Sequence, residues 1–204
     1  PFDPYSAAHR TNDYCEGNAW QYLWLTPQDP EGLIDLMGGE ETFTQKLDSL
    51  FTISSELDDN ASVDISGMIG QYAHGNEPSH HVAYMYSYAG KQYKTAPIIR
   101  TINNTLYTDQ PDGLSGNEDC GQMSAWYIFS SIGFYPVNPT NGLYVFGSPL
   151  FDEVKINLPQ DKQFIIKAES NSDSNIYIQS VKLNGEDYNY SYITHKDIMK
   201  GGEL

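Results

Sequence analysis

Residues 116–137 read GNEDCGQMSAWYIFSSIGFYPV, and a change of period inside this stretch decides the fold. Asn117, Glu118 and Asp119 precede an apolar, aromatic run from Gln122 to Ile132, which Gly133 closes. The spacing predicts a helix over that run, because Asp and Asn at a helix start satisfy N–H groups that lack intrahelical partners. Beyond Pro136 the apolar residues recur at about every second position instead of every 3.6. The chain is therefore expected to be α+β, helical over residues 1–136 and antiparallel β over 137–204.

Upstream, the helical pattern repeats. Glu31 to Met37 reads as a short helix closed by Gly38-Gly39, and Thr42 to Phe51 carries Phe43, Leu47, Leu50 and Phe51 at helical spacing. A helix from His80 to Tyr88 is expected to start at Pro78-Ser79, with Ser79 as N-cap, and to stop at Gly90. Another is expected from Pro97 to Leu106, with the proline in its first turn. Downstream, strands are expected at Gly142–Phe146, Glu153–Leu158, Gln163–Ala168, Asn175–Ile178 and Ser180–Leu183. Turns at residues 158–161, at Asn171-Ser172-Asp173 and at Asn184-Gly185 separate them. Pro1 to Tyr5 reads as mid-protein sequence and Met199 to Leu204 as a turn followed by the first residues of a strand that does not arrive, so a piece of a longer polypeptide is expected.

Composition narrows the partners. A net charge of −16 with only 11 Lys and Arg disfavours nucleic acid, whose phosphates need basic side chains, and equally an anionic membrane surface. No apolar run approaches the roughly 18 residues of a membrane-spanning helix. The acidic excess suits a neutral sugar, a divalent cation or plain solubility. Sixteen tyrosines suit surfaces that are half apolar and half hydrogen-bonding, such as sugar clefts, and suit a polar helical core as well. Cys15 and Cys120 are expected to be buried thiols, with a disulfide between them left open. Asn60-Ala61-Ser62, Asn103-Asn104-Thr105 and Asn189-Tyr190-Ser191 match the glycosylation triplet, a pattern common by chance.

Two further clusters resemble the one at 117–119: CEGNAWQY at 15–22 and GQYAHGNEPSHH at 70–81. Each joins a carboxylate, an amide and aromatic rings at a predicted helix start, so the three are either separate caps or one shared pocket. Two carboxylates flanking a glycosidic bond suffice to cleave it, one protonating the leaving oxygen and the other activating water or attacking directly. Glu16 and Asp119 come from different helix starts and form the natural pair. Trp20 and Tyr22 could supply the apolar surroundings that raise an acid's pKa. Asn76 and Glu77 are adjacent hard oxygen donors of the type calcium prefers, and a plain helix-entry loop explains them too. His74, His80 and His81 argue little for zinc, since adjacent helical residues point about 100 degrees apart. A nucleophilic serine elbow and a phosphate loop are both missing.

The three clusters, in this order, resemble motifs of glycoside hydrolase family 92, and residues 86–100, YSYAGKQYKTAPIIR, resemble that family as well. The resemblance covers nearly all of 13–136 and weakens after Val137. It implies a calcium-dependent exo-α-mannosidase that inverts the anomeric centre, with this chain supplying the second half of an (α/α)6 barrel and a C-terminal β segment. On that likeness Glu16 is the general acid and Asp119 the general base, with Asn117 standing where some members carry a second aspartate. Asn76 and Glu77 resemble the calcium ligands, with a backbone carbonyl near Asn60 contributing. Trp20, His74, Asn117 and Glu118 would line the sugar. The implied calcium would bind O2 and O3 of a terminal mannose, and inversion implies carboxyls about 6.5–9.5 Å apart. The implied partners are mannose-containing oligosaccharides, such as N-glycans or mannan, and the rest of the parent enzyme, an N-terminal β-sandwich and the first half of the barrel. The implied location is periplasmic or extracellular. Ser55-Glu56 stands where a His-Glu pair is expected of α-1,2-specific members, which leaves the linkage open. The alternative is a non-catalytic carbohydrate-binding or structural fragment.

Overall fold

The computed structural model of the chain describes residues 2–8 and 13–204, so Pro1 lies outside the described part. Its α-helices in chain order are α1 (Ala19–Tyr22), α2 (Pro30–Leu36), α3 (Glu40–Thr52), α4 (Gln92–Thr105), α5 (Gln122–Ile132) and α6 (His195–Lys200). Between α3 and α4 runs a 3-10 helix, Val82–Ala89, with Val82, Ala83, Tyr84, Met85 and Tyr86 all buried. A segment apolar on every side must be surrounded. Helices α2, α3 and α4 pack around it, presenting Ile34, then Phe43, Leu47 and Leu50 at positions i, i+4 and i+7, then Ile99 and Ile102. Trp24 and Trp126, both fully buried, complete this core.

Two expectations for the helices change. The segment expected as one helix from Ser79 breaks into a 3-10 turn, Glu77–Ser79, followed by the longer 3-10 helix. The break falls at His80 and His81, whose Nε2–H groups donate to the carbonyls of His74 (3.0 Å) and Trp24 (2.6 Å). Helix α4 begins at Gln92, so Pro97 lies inside it and not in its first turn. Pro97 is exposed, as is Tyr93, the residue whose carbonyl loses its helical donor there.

The β part has its own core of Phe134, Phe146, Phe164, Ile166, Ile193 and Ile198. Its strands follow β1 (Met68–Ile69) and β2 (Tyr72–Ala73), a small antiparallel pair among the helices. Strands β3 (Phe134–Tyr135), β4 (Leu143–Phe146), β5 (Glu153–Asn157), β6 (Gln163–Lys167), β7 (Lys182–Leu183), β8 (Glu186–Asp187), β9 (Tyr192–Thr194) and β10 (Gly202–Glu203) come after α5. The orders are β3-β4-β9, antiparallel throughout, and β10-β6-β5. In the latter, β5 and β6 are antiparallel with Ile156 opposite Phe164, but β10 joins β6 in parallel, Gly202 opposite Phe164. The antiparallel segment expected from the sequence thus carries one parallel edge. The β7–β8 hairpin turns at Asn184-Gly185 with φ of 53° and 86°, the left-handed pair such dipeptides favour.

Residues 175–178 form no strand, and of 180–183 only Lys182–Leu183 pairs. Side chains take the backbone partners a ladder would have used. Ser148 Oγ donates to the carbonyl of Ile176 at 2.7 Å. The buried Arg100 of α4 donates from Nε to Ser148 Oγ (2.9 Å) and from Nη2 to the Pro149 carbonyl and Asn171 Oδ1. Burial pushes the guanidinium pKa down, only partly offset by Asp173. Arg100→Met would leave these acceptors unpaired in the junction between the two parts. We expect a loss of about 2 kcal/mol, read as a lower urea midpoint at unchanged slope.

Candidate active site

Buried amides join the first two sequence clusters. Asn18 caps α1: its Oδ1 accepts from the N–H groups of Trp20 (3.0 Å) and Gln21 (3.3 Å), while Gln21 Oε1 accepts from the Asn18 N–H (2.7 Å). The remaining amide groups reach across to the loop at 70–81. Asn18 Nδ2 donates to Gln71 Oε1 (2.9 Å), and Gln21 Nε2 donates to the Gln71 carbonyl (2.8 Å). Gln71 Nε2 in turn donates to the carbonyls of Ser54 (2.7 Å) and Glu56 (3.2 Å). All three side chains are buried, so losing any one leaves an unpaired polar group in the core. These anchors escaped the sequence reading, although each stands inside a quoted motif.

The second and third clusters meet backbone to backbone at two glycines. A Cβ on Gly116 would lie 2.3 Å from the Gly75 carbonyl oxygen, and one on Gly75 would lie 2.8 Å from the Ser115 carbonyl oxygen. Only residues without side chains permit so close an approach. It brings Asn76 and Glu77 beside Asn117, Glu118 and Asp119. Asn76 Nδ2 also donates to the Glu16 carbonyl at 3.0 Å, which ties in the first cluster. Gly116→Ala is expected to force the two loops apart and to lower the melting temperature by several degrees, because the obstacle is backbone and cannot rotate away.

Glu77 feels the other carboxylates. Burial raises its pKa, a backbone hydrogen bond pulls it back, and the neighbouring Asp119 carboxyl and then the charge of Glu16 push it up again. Two of the three stand on left-handed backbone: Glu16 has φ 53° and Asp119 has φ 43°, the latter followed by Cys120 at 59° and Gly121 at 91°. Such conformations cost non-glycine residues about 1–3 kcal/mol each and concentrate at functional sites.

The other predicted residues take varied places. Glu118 is exposed and caps α5: its Oε1 and Oε2 accept from the N–H (3.0 Å) and Oγ–H (2.7 Å) of Ser124, bonds that lower its pKa. Asn117 is exposed beside it. Trp20 is half-buried, with the Lys46 ammonium 3.5 Å from its ring centroid and the Tyr5 ring 6.1 Å away. His74 is fully buried, its two ring nitrogens engaged by Tyr72 Oη (2.8 Å) and Tyr107 Oη (2.7 Å). Asn60 lies in an exposed turn where its N–H donates to Asp58 Oδ1 (2.9 Å). Cys15 and Cys120, expected to be buried, are both free and exposed. Asn103 is 3% exposed, which leaves its triplet no accessible acceptor. A cavity of about 610 Å³ lies in the β part and contains none of Glu16, Glu77 or Asp119 among its lining residues.

Among the described residues, no group of three or more His, Cys, Asp or Glu side chains could hold a metal ion by itself. The donor chemistry nevertheless fits a hard cation. With its nitrogen committed to the Glu16 carbonyl, Asn76 has its oxygen left to offer, next to a Glu77 carboxylate crowded by other negative charge. A cation there would relieve that crowding and would take its further oxygen ligands from backbone, water or substrate.

The fold is a set of helices continued by largely antiparallel β structure, with the carboxylate-bearing loops of Glu16, Glu77 and Asp119 at the helix starts. The chain belongs to glycosyl hydrolase family 92: the model of that family's catalytic domain matches residues 1–204. An uncharacterized secreted glycosidase of Arthroderma benhamiae is 30% identical over 202 residues, covering 98% of this chain and 24% of that protein. A family GH92 α-mannosidase of Bacteroides thetaiotaomicron, solved with mannoimidazole, is 42% identical with a TM-score of 0.93, covering 100% of this chain and 27% of that one. An inverting family GH92 mannosidase of the same organism is 38% identical with a TM-score of 0.84, covering 100% and 28%. The chain thus spans about a quarter of the length of these relatives. No helix among the described residues is long and apolar enough to cross a membrane.

Proposed function

We propose that this chain carries the acid, the base and the cation-holding residues of an inverting, calcium-dependent exo-α-mannosidase, within a longer polypeptide that completes the pocket. The supporting observation is the convergence of Glu16, Glu77 and Asp119 from three separate loops on strained or tightly packed backbone, with the charges of Asp119 and Glu16 both raising the Glu77 pKa. The mannosidase relatives at 42% and 38% identity favour the same substrate class, and one of them is an inverting enzyme. The helical part, 1–136, would then be the second half of an (α/α)6 barrel, and 137–204 a C-terminal β segment. A secreted relative favours a periplasmic or extracellular location.

In this reading Glu16 gives its proton to the glycosidic oxygen as the bond breaks. Asp119 takes a proton from a water on the opposite face of the sugar, and the resulting hydroxyl closes on the anomeric carbon with inversion. Asn76 and Glu77 would hold calcium, which when bound would take vicinal sugar hydroxyls as oxygen ligands and so orient the ring and favour its distortion toward the transition state. Axial O2 is what separates mannose from glucose, so a site that reads this hydroxyl selects mannose. Trp20 and Asn117 are offered as groups lining the sugar, and Asn60 as a further carbonyl donor.

Time-resolved proton NMR of α-mannobioses with the full-length polypeptide tests the proposal. β-Mannose should appear first in calcium, and its release should stop in EDTA. First release of α-mannose would reject inversion, release unaffected by EDTA would reject the calcium role, and no release at all would reject the activity.

A further inference from the structure

Behind the carboxylates runs a hydrogen-bond network in which one proton arrangement gives every donor an acceptor. In it the Tyr107 hydroxyl donates to the Met123 carbonyl at 3.1 Å, which leaves His74 as the acceptor for the buried Tyr72 hydroxyl. His74 Nε2, 2.7 Å from the Tyr107 hydroxyl, then donates to it. A neutral imidazole protonated at Nε2 keeps a lone pair on Nδ1, and Tyr72 Oη donates to it at 2.8 Å. The His74 carbonyl likewise makes His80 a donor from Nε2 at 3.0 Å, which leaves His80 Nδ1 to accept from the Gln122 amide at 3.1 Å. Trp126 Nε1 closes the set by donating to the His80 carbonyl at 2.9 Å.

The members of this network come from two places only, apart from Tyr107 just past α4. Tyr72, His74 and His80 flank Asn76 and Glu77 in sequence. Gln122, Met123 and Trp126 open α5 directly after Asp119, and the N–H groups of Gln122 and Met123 donate to the carbonyls of Asp119 (3.2 Å) and Glu118 (3.3 Å). His74 itself is fully buried, with both nitrogens occupied and its ring 4.3 Å from that of Trp126, so it has no way to touch a sugar. We infer that His74, held as its Nε2–H tautomer between Tyr72 and Tyr107, is a positioning residue that sets where Glu77 stands relative to Asp119. The inference rests on the function proposed above. It replaces substrate contact by His74 with a different role: displacing one partner of this network moves the cation-holding loop against the base.

Tyr107→Phe in the full-length polypeptide is the sharpest test. It deletes one oxygen, keeps the ring parallel to Trp126 (1° between planes), and strands the His74 Nε2 proton. Ser130→Ala is the control, since it deletes the acceptor of the Tyr84 hydroxyl (2.8 Å) in the same aromatic core. Tyr107→Phe should lower kcat about tenfold or more with little change in KM, and should weaken calcium binding in a calorimeter several-fold. The 15N spectrum of the His74 imidazole should change from one tautomer to a mixture. Ser130→Ala should lower the melting temperature while leaving kcat and calcium affinity as in the wild type. The inference is overturned if Tyr107→Phe, like the control, moves only the melting temperature, or if the wild-type spectrum shows the Nδ1–H tautomer. A wild type that neither binds calcium nor cleaves mannosides would overturn the proposed function first, and this role with it.

Discussion

Asp119→Asn is expected to lower the kcat of the full-length polypeptide about 10²–10⁴-fold, the range typical of a lost general base. Asparagine has nearly the same shape and tolerates the left-handed backbone that Asp119 adopts at φ 43°, so the fold should survive. What disappears is the ability to take a proton from water. Glu16→Gln, also on left-handed backbone, should lose comparably on mannobioses, whose leaving alcohol needs protonation. On an aryl mannoside the two variants should separate. A phenolate leaves without help, so Glu16→Gln should recover much of its rate there, and Asp119→Asn should not. Recovery in the opposite variant would exchange the two roles, and equal recovery in both would remove them. Removing the Asp119 charge should also let the Glu77 pKa fall back part of the way, with the part due to burial remaining.

Acid should weaken the fold, by about 3 kcal/mol at pH 4 from His80 alone. Burial, aided by neighbouring His81, drives this imidazole down to about 4 from its ordinary 6.5, against the opposing pull of the His74 carbonyl. An unfolded chain accepts a proton near pH 6.5 that the native state refuses until about 4. The unfolded state therefore binds more protons across that window, and stability falls as pH falls through it. At about 1.4 kcal/mol per unit the window is worth about 3 kcal/mol. His74 and His81, also lowered by burial, add in the same direction. Glu77 works the other way, since a raised carboxyl contributes stability that is lost as pH rises through its folded value. Urea midpoints at pH 7, 5.5 and 4 measure the sum, and a His80→Gln variant should show a visibly shallower decline. A midpoint flat from pH 7 to 4.5 would reject the account.

What could be read directly was whatever depends on near neighbours in the chain. Helix Gln122–Ile132 matches its expected bounds because its apolar spacing and its terminal glycines, Gly121 and Gly133, act within one or two turns. The Asn184-Gly185 turn is local for the same reason, since both residues carry their own tolerance of positive φ. The residue types of the candidate site were equally legible, because carboxylates and amides in three recurring clusters announce their chemistry wherever they fold.

Which of those residues would face one another was decided by tertiary structure. Glu77 comes to Asp119 because Gly75 and Gly116 touch where neither has a side chain, a contact between segments with nothing in common locally. His74 carries the right chemistry for a sugar pocket, yet it is walled in by Tyr72, Tyr107 and Trp126. Pro97 inside a helix, β10 lying parallel to β6, and Arg100 gripping residues 148–171 follow the same rule. Propensity and capping act over a few residues, while burial and hydrogen-bond partners are assigned only when distant segments pack, and there the larger energies lie.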